Sequence, residues 1–288
     1  MTELISVIVT TYLRPDALDA VLRGLDAQAD RDFEVIVADD GSGPETAALV
    51  AGWQKHMPVA HVWQENKGFR AAAIRNRAVQ QSRGAICIFL DGDCIPRPDF
   101  VAQHRRLAEP GWFVAGNRIL LSAELTGEIL RDKLPAERWG IGQWISLRQK
   151  GRINRLSPFL SLRLGPLRKL EAQRWRGARS CNLAIHRGDL DRVDGFDSAF
   201  TGWGLEDSDL IIRLIRSGAR RKDGRFATGV LHLWHPHSDR SQLPENQRKL
   251  DTVIAETRVR SIEGLSRLDE GAGAASSSSR AVANQDRS

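Results

Sequence analysis

Apolar residues along the first ninety positions fall into two alternating rhythms. Short β-branched runs, the mark of strands buried on both faces, occur at 5–9, 33–38, 59–63 and 85–90. Between them apolar positions recur at helical spacing: Ala17, Leu18, Val21, Leu22 and Leu25 behind Pro15, a second set from about Pro44, and a third over 71–81. Pro15 and Pro44 stand where a first helical turn tolerates a missing N–H. Strand, helix, strand at this spacing predicts a parallel sheet with helices on both faces, a Rossmann-like half. Ligands of such sheets gather at the carboxyl ends of the strands. The polar clusters lie there: Thr10-Thr11-Tyr12, then Asp39-Asp40-Gly41-Ser42, and Asp91-Gly92-Asp93.

The rhythm then breaks. Over 148–179, ten Lys or Arg face one acid, Glu171, and they alternate with Phe159, Leu160, Leu162, Leu164 and Trp175. Gly151, Pro158, Gly165 and Pro166 interrupt any period, so the segment reads as a basic insertion, about 131–178, and not as more sheet. Its mixture of cations and apolar residues suits a peripheral contact with anionic lipid or a phosphorylated glycan. Further on, 181–186 reads as a strand rejoining the core, 205–217 as an amphipathic helix and 229–231 as a short strand. The Gly-, Ala- and Ser-rich end, 266–288, has the composition of a disordered tail.

Charge and cysteine content narrow the class. A formal charge of +6 over 288 residues favours an anionic partner. Nucleic acid is not expected, because the cations concentrate in one segment while acids crowd the strand ends, where a polyanion would be repelled. Cys87, Cys94 and Cys181 are odd in number and lack metal-ligand spacing, which argues against a disulfide framework or a zinc site. No basic stretch followed by an apolar run opens the chain, and no apolar run is long enough to span a bilayer. A cytoplasmic location is expected, with peripheral contact at the inner membrane face through the basic segment.

Asp91-Gly92-Asp93 places two carboxylates at a strand end, where they can converge on one hard cation, although Asp-Gly is also a favoured turn. Asp39 and Asp40 can meet a ribose or base edge, or simply precede a helix that Ser42 caps. Trp203-Gly204-Leu205-Glu206-Asp207 opens a helix whose dipole favours acids. It also combines an aromatic face for a sugar ring with carboxylates for its hydroxyls, one of which can serve as a general base. His232, His235 and His237 lie within six residues and suit a metal. Lys67, Arg70 and Arg75 flank the start of the 71–81 helix and can face phosphate.

The ordered set (Asp39-Asp40-Gly41-Ser42, Asn66-Lys67-Gly68 with Arg75-Asn76, Asp91-Gly92-Asp93, Arg179-Ser180-Cys181-Asn182, Trp203-Gly204-Leu205-Glu206-Asp207 and the late histidines) resembles the family 2 glycosyltransferases of the GT-A fold. The likeness extends to bacterial members with a galactosyltransferase-like C-terminal half and covers roughly 4–250. The resemblance implies one α/β domain over 1–265 with a mixed central sheet: a nucleotide-sugar half at 1–95 and an acceptor and catalytic half at 96–265. It implies that Thr10, Asp39, Asp40, Lys67, Arg75 and Asp91 meet the nucleotide sugar. Asp93 with His235 or His232, His235 preferred, would hold a divalent metal, manganese before magnesium. Asp207 would be the catalytic base, with Glu206, Trp203 and Gly204 at the acceptor. A single base implies one in-line displacement and inversion. The expected reaction moves a hexose, from UDP in the usual member, to a saccharide or lipid-linked saccharide acceptor of a surface polysaccharide, lipopolysaccharide or glycolipid. Two competing classes are a sugar nucleotidyltransferase, which needs a glycine-rich phosphate loop absent after the first strand, and a non-catalytic glycan- or anionic-surface-binding protein.

Overall fold

The computed structural model describes residues 3–236 and 239–268. Its first half follows the predicted alternation: β1 (Ile5–Thr11), α1 (Pro15–Asp26), β2 (Phe33–Asp39), α2 (Pro44–Trp53), β3 (Val59–Trp63), α3 (Ala71–Gln81) and β4 (Ile86–Asp91). Every residue of β2 is buried: the apolar run 35–38 by packing, Glu34 by accepting from Ser6 and Arg83, and Asp39 by accepting from Ser42. Successive side chains point to opposite faces. Val7, Val9, Val35 and Val37 therefore meet α1 and its surroundings, while Ile8, Ile36 and Phe89 meet Ile74 and Val79 of α3.

The second half supplies β5 (Cys94–Pro96), α4 (Phe100–Leu107), β6 (Trp112–Ala115), β7 (Arg118–Leu120), α5 (Ala123–Arg131), α6 (Ile141–Gln149), β8 (Asn182–His186), α7 (Arg187–Val193), α8 (Glu206–Arg216), β9 (Arg220–Asp223), β10 (Val230–His232) and α9 (Leu243–Ala255). A seven-stranded sheet runs in the order β3-β2-β1-β4-β8-β6-β9. Its first four strands are parallel, and β8 lies antiparallel between β4 and β6. This is the mixed sheet expected. In register, Thr10 stands opposite both Ala38 and Asp91, and Thr11 opposite Asp39, so three polar strand ends finish level. A second sheet, β5-β10-β7, sits beside those ends.

The basic segment adds no strand to either sheet, but it is packed. Ala136, Trp144, Leu147 and Ile153 are buried in the core, and Trp144 stacks on Phe159 with ring centroids 4.5 Å apart. Arg168 is buried by donating to the carbonyls of Leu162, Asp223 and Arg225. Next to the buried Leu265, Ser266, the first residue of the expected tail, donates from its N–H and hydroxyl to Asp194. The rest of that tail, 269–288, lies outside the described residues. All three cysteines are buried and free. Among the described residues no helix is long and apolar enough to cross a membrane.

Candidate active site

Asp91-Gly92-Asp93 turns from β4 into β5. The Gly92 N–H donates to the Thr10 carbonyl at 2.7 Å, and a Cβ at position 92 would stand 2.9 Å from that oxygen. Glycine is therefore required for the turn to close on β1. The close approach carries Asp91 and Asp93 into one cleft with Thr10.

Arg75 organises the cleft. Projecting from α3, it is 4% exposed and donates to Thr10 Oγ1 (3.0 Å), Asp91 Oδ1 (3.2 Å) and Glu206 Oε1 (3.0 Å). Burial opposes its charge, but Asp91 and Glu206 outweigh burial and raise its pKa further. Burial likewise lifts the Asp91 pKa to about 6, against the pull of Arg75 and with the push of Asp93.

Glu206 and Asp207 are adjacent in the first turn of α8 and fare differently. Glu206 is held by Arg75, whereas Asp207 is half-buried and accepts a 3.5 Å contact from the neighbouring Ser208 hydroxyl. Crowding by protein and the charge of Glu206 lift Asp207 to about 7, with Arg75 and Arg179 opposing. The turn that presents them is wound left-handed: Gly202, Gly204 and Leu205 have φ of 72°, 101° and 78°. A leucine in that region stores roughly 1–3 kcal/mol of strain, a cost met where local shape serves function. Asn246 of α9 pins the turn by donating to the carbonyls of Thr201 and Gly204, both at 3.0 Å. Trp203 flanks it, with the Arg240 guanidinium 4.8 Å over its ring.

The histidines arrive by strand pairing. β10 runs antiparallel to β5 with His232 opposite Cys94, and Leu233 N–H donates to the Asp93 carbonyl. His235 Nε2 lies 3.3 Å and His232 Nε2 3.7 Å from the same oxygen of Asp93. One carboxylate and two imidazoles converging on a point form a donor set that fits a divalent metal of borderline hardness. Burial lowers the His232 pKa, although Asp93 opposes it, and a neutral ring is the form that ligates. Cys94 Sγ also lies within 4.8 Å of the Asp93 and His232 donor atoms. Burial holds that thiol well above its ordinary pKa. His237 falls outside the described residues.

Asp39 and Asp40 are fully engaged. Asp39 accepts from the Ser42 N–H (2.8 Å) and pairs with His61 Nε2 (3.0 Å). Burial pushes its pKa up, but those bonds prevail and hold it below the usual value. Asp40 accepts from Gln64 (2.5 Å) and the Arg70 N–H (2.6 Å), and there burial prevails and raises it. Lys67 is not brought into the cleft: it is 62% exposed and paired with Glu65 at 2.8 Å.

Two contributors escaped sequence reasoning, His61 and Asn246. Asn182, named in the sequence as part of the Arg179-Ser180-Cys181-Asn182 motif but given no role there, links His104 to the carbonyls of Asn117 and Thr228 and so locks β8 beside the cleft. Asn246 had a legible signal, since it shares the buried face of α9 with Leu250 and Val253. The pairing of His61 had none.

Comparison with known proteins gives the family and the fold. The model of glycosyl transferase family 2 matches residues 6–161, more than half of the chain, and that described as the N-terminal domain of galactosyltransferase matches 169–235. The chain belongs to glycosyltransferase family 2. It is 29% identical over 235 residues to the validoxylamine A glucosyltransferase of Streptomyces hygroscopicus subsp. limoneus, covering 79% of this chain and 51% of that protein. It is 27% identical over 230 residues to the hyaluronan synthase of Pasteurella multocida, covering 75% and 23%. The chain thus spans about half, or less, of the length of these relatives. Among solved structures, S. aureus TarS 1-349 in complex with UDP aligns with a TM-score of 0.58 at 16% identity, covering 91% of this chain and 68% of that one. The mannosyltransferase PcManGT from Pyrobaculum calidifontis, in complex with GDP-Man and Mn2+, aligns at 0.55 and 19%, covering 87% and 63%. These likenesses establish the GT-A fold.

Proposed function

We propose that this chain is a metal-dependent, inverting hexosyltransferase. It moves a sugar from a nucleoside diphosphate, UDP-hexose first among candidates, to a saccharide hydroxyl in the making of a surface polysaccharide, lipopolysaccharide or glycolipid. The observation that carries the reading is the division of labour between Glu206 and Asp207. Arg75 neutralises one carboxylate, while the other, among the described residues, stands without a direct cation partner and with a pKa near 7, where a general base works best. The named activities of the glucosyltransferase and hyaluronan synthase relatives support glycosyl transfer. The UDP and the GDP-Man with Mn2+ bound by the structural neighbours support a nucleotide-sugar donor and a metal.

In this reading the polar ends of β1 and β2, with Thr10, Asp39 and Asp40, shape the pocket for base and ribose, and Asp91 stands at the ribose. Asp93, His235 and His232 would hold the metal, manganese before magnesium, and it would supply positive charge to offset that of the departing diphosphate. Arg75 keeps Thr10, Asp91 and Glu206 in mutual register, and Lys67 reaches phosphate on opening its pair with Glu65. Trp203, Gly204 and Glu206 bound the acceptor. Asp207 takes the proton of the attacking hydroxyl as its oxygen bonds to the anomeric carbon. The bond from that carbon to the diphosphate oxygen breaks on the opposite face, and the electron pair leaves with the nucleoside diphosphate. One displacement inverts the centre.

Calorimetric titration with UDP-, GDP-, CMP- and dTDP-sugars, with manganese and with chelator, tests the donor site. Manganese-dependent binding of one nucleotide sugar is expected. A folded protein that binds none of them with manganese present would sink the proposal.

A further inference from the structure

The basic segment carries a surface that the transfer reaction does not use. Arg106, Arg163, Arg168, Lys169 and Lys222, with a single acid, Glu109, line an open groove of about 520 Å³ whose walls include Leu107, Leu164 and Pro166. Lys169 and Lys222 grip Glu109 from two sides, at 2.7 and 2.6 Å. Arg168 and Lys222 are themselves buried, so the charge that the groove turns outward comes from the exposed Arg106 and Arg163. Next to the groove, Leu160, Leu162, Leu167 and Leu170 are 44–77% exposed. Four bare leucines within eleven residues, with the exposed Arg163 among them and the exposed Arg155 just before, depart from an ordinary solvated surface.

Topology sets the Glu109 and Trp112 side of this surface apart from the donor cleft. β4 and β6 both run antiparallel to β8 and so point the same way. Asp91 closes the carboxyl end of β4, whereas Trp112, whose ring lies under Lys169 Nζ at 4.5 Å, opens the amino end of β6. The cations around Glu109 and Trp112 therefore gather toward the opposite end of the sheet from the diphosphate position. A second anionic partner is the chemistry they suit.

We infer that the leucine ridge at 160–170 and the adjoining basic groove dock this enzyme on an anionic lipid bilayer. Charge complementarity and the residue types select this occupant. Aliphatic side chains enter the boundary between headgroups and acyl chains, while long cationic side chains beside them reach back to the phosphates. A soluble acidic glycan would be met by exposed aromatic faces and hydrogen-bonding side chains. The exposed apolar residues of the ridge are all leucine, and the face of Trp112 is already covered by Lys169.

The test is co-sedimentation of the full chain with vesicles of phosphatidylcholine alone and of phosphatidylcholine mixed with phosphatidylglycerol. Binding to the mixed vesicles only, weakening as salt is added, is expected. The exposed pair Leu167→Ser/Leu170→Ser should lower vesicle affinity about tenfold, and Arg163→Glu by a similar factor, with the melting temperature unchanged. Absence of binding to anionic vesicles overturns the inference. So does binding that the leucine pair does not alter, or leucine-independent binding to a soluble acidic polysaccharide in its place. Because the readout is vesicle binding, it stands or falls independently of sugar transfer.

Discussion

At the end of β2, Asp39 and Asp40 turn their oxygens inward to Ser42, His61, Gln64 and Arg70, and both are buried. Between β4 and α8 the same residue types end differently. Asp93 faces two histidines, Asp91 shares a guanidinium with Glu206, and Asp207 has no direct cation partner among the described residues. The first region uses carboxylates as internal hydrogen-bond acceptors that hold a pocket wall in shape. The second leaves them desolvated and crowded by like charge, which raises Asp91 to about 6 and Asp207 to about 7. The contrast teaches that an acidic pair at a strand end is a scaffold when backbone and amide donors saturate it. It becomes reactive when its neighbours are other acids.

Substitutions at the two regions should separate accordingly. The largest effect is expected at Asp207. Asp207→Asn should lower kcat by about 10²–10⁴ while leaving manganese-dependent donor binding intact. In the unsubstituted chain the rate should climb as pH rises through about 7, because the base acts only when deprotonated. The same shift has a stability consequence with a definite sign. A folded pKa above the unfolded one gives stability at low pH that is lost as pH rises through the folded value. Asp207→Asn should therefore melt higher than the parent chain by a margin that grows between about pH 4 and pH 7. Near-normal turnover of this variant would unseat the base assignment.

Asp93→Ala comes next. It removes the carboxylate on which His232 and His235 converge, so donor affinity in manganese should fall at least tenfold and lose its sensitivity to chelator. Calorimetry checks both, and a persisting manganese dependence would move the metal elsewhere. The smallest catalytic effect is expected at Asp39→Asn. Its charge is lost, but the Ser42 bond has an isosteric acceptor, so urea unfolding should show a cost of about 1–2 kcal/mol with kcat nearly unchanged. A collapse of kcat at Asp39 would erase the distinction between scaffold and reactive acids.

The first half of the fold was legible because its signals are local. Uninterrupted β-branched runs are strands wherever two faces are covered, and the prolines at 15 and 44 mark helix starts. The second half was less so. The 131–178 segment read as an insertion because its charges and glycines mask the periodicity, yet α6 forms within it and Trp144 reaches the core by stacking on Phe159. The strands β5, β7 and β10 are three residues each, too short to show a period, and are defined by mutual pairing. The left-handed turn at 202–205 was visible as glycine, tryptophan and acids, but not the clamp from Asn246.

The chemical types at the site, their order along the chain and the strand ends that carry them were set by local sequence, because a carboxylate beside a strand terminus has only one end of the sheet to occupy. Which acids meet cations, which meet each other and which histidines meet Asp93 was decided by tertiary structure. Those choices depend on the pairing of β10 with β5 and on the reach of Arg75 across 131 positions to Glu206. Charge–charge and desolvation energies depend on distance in space, and separation along the chain does not report it.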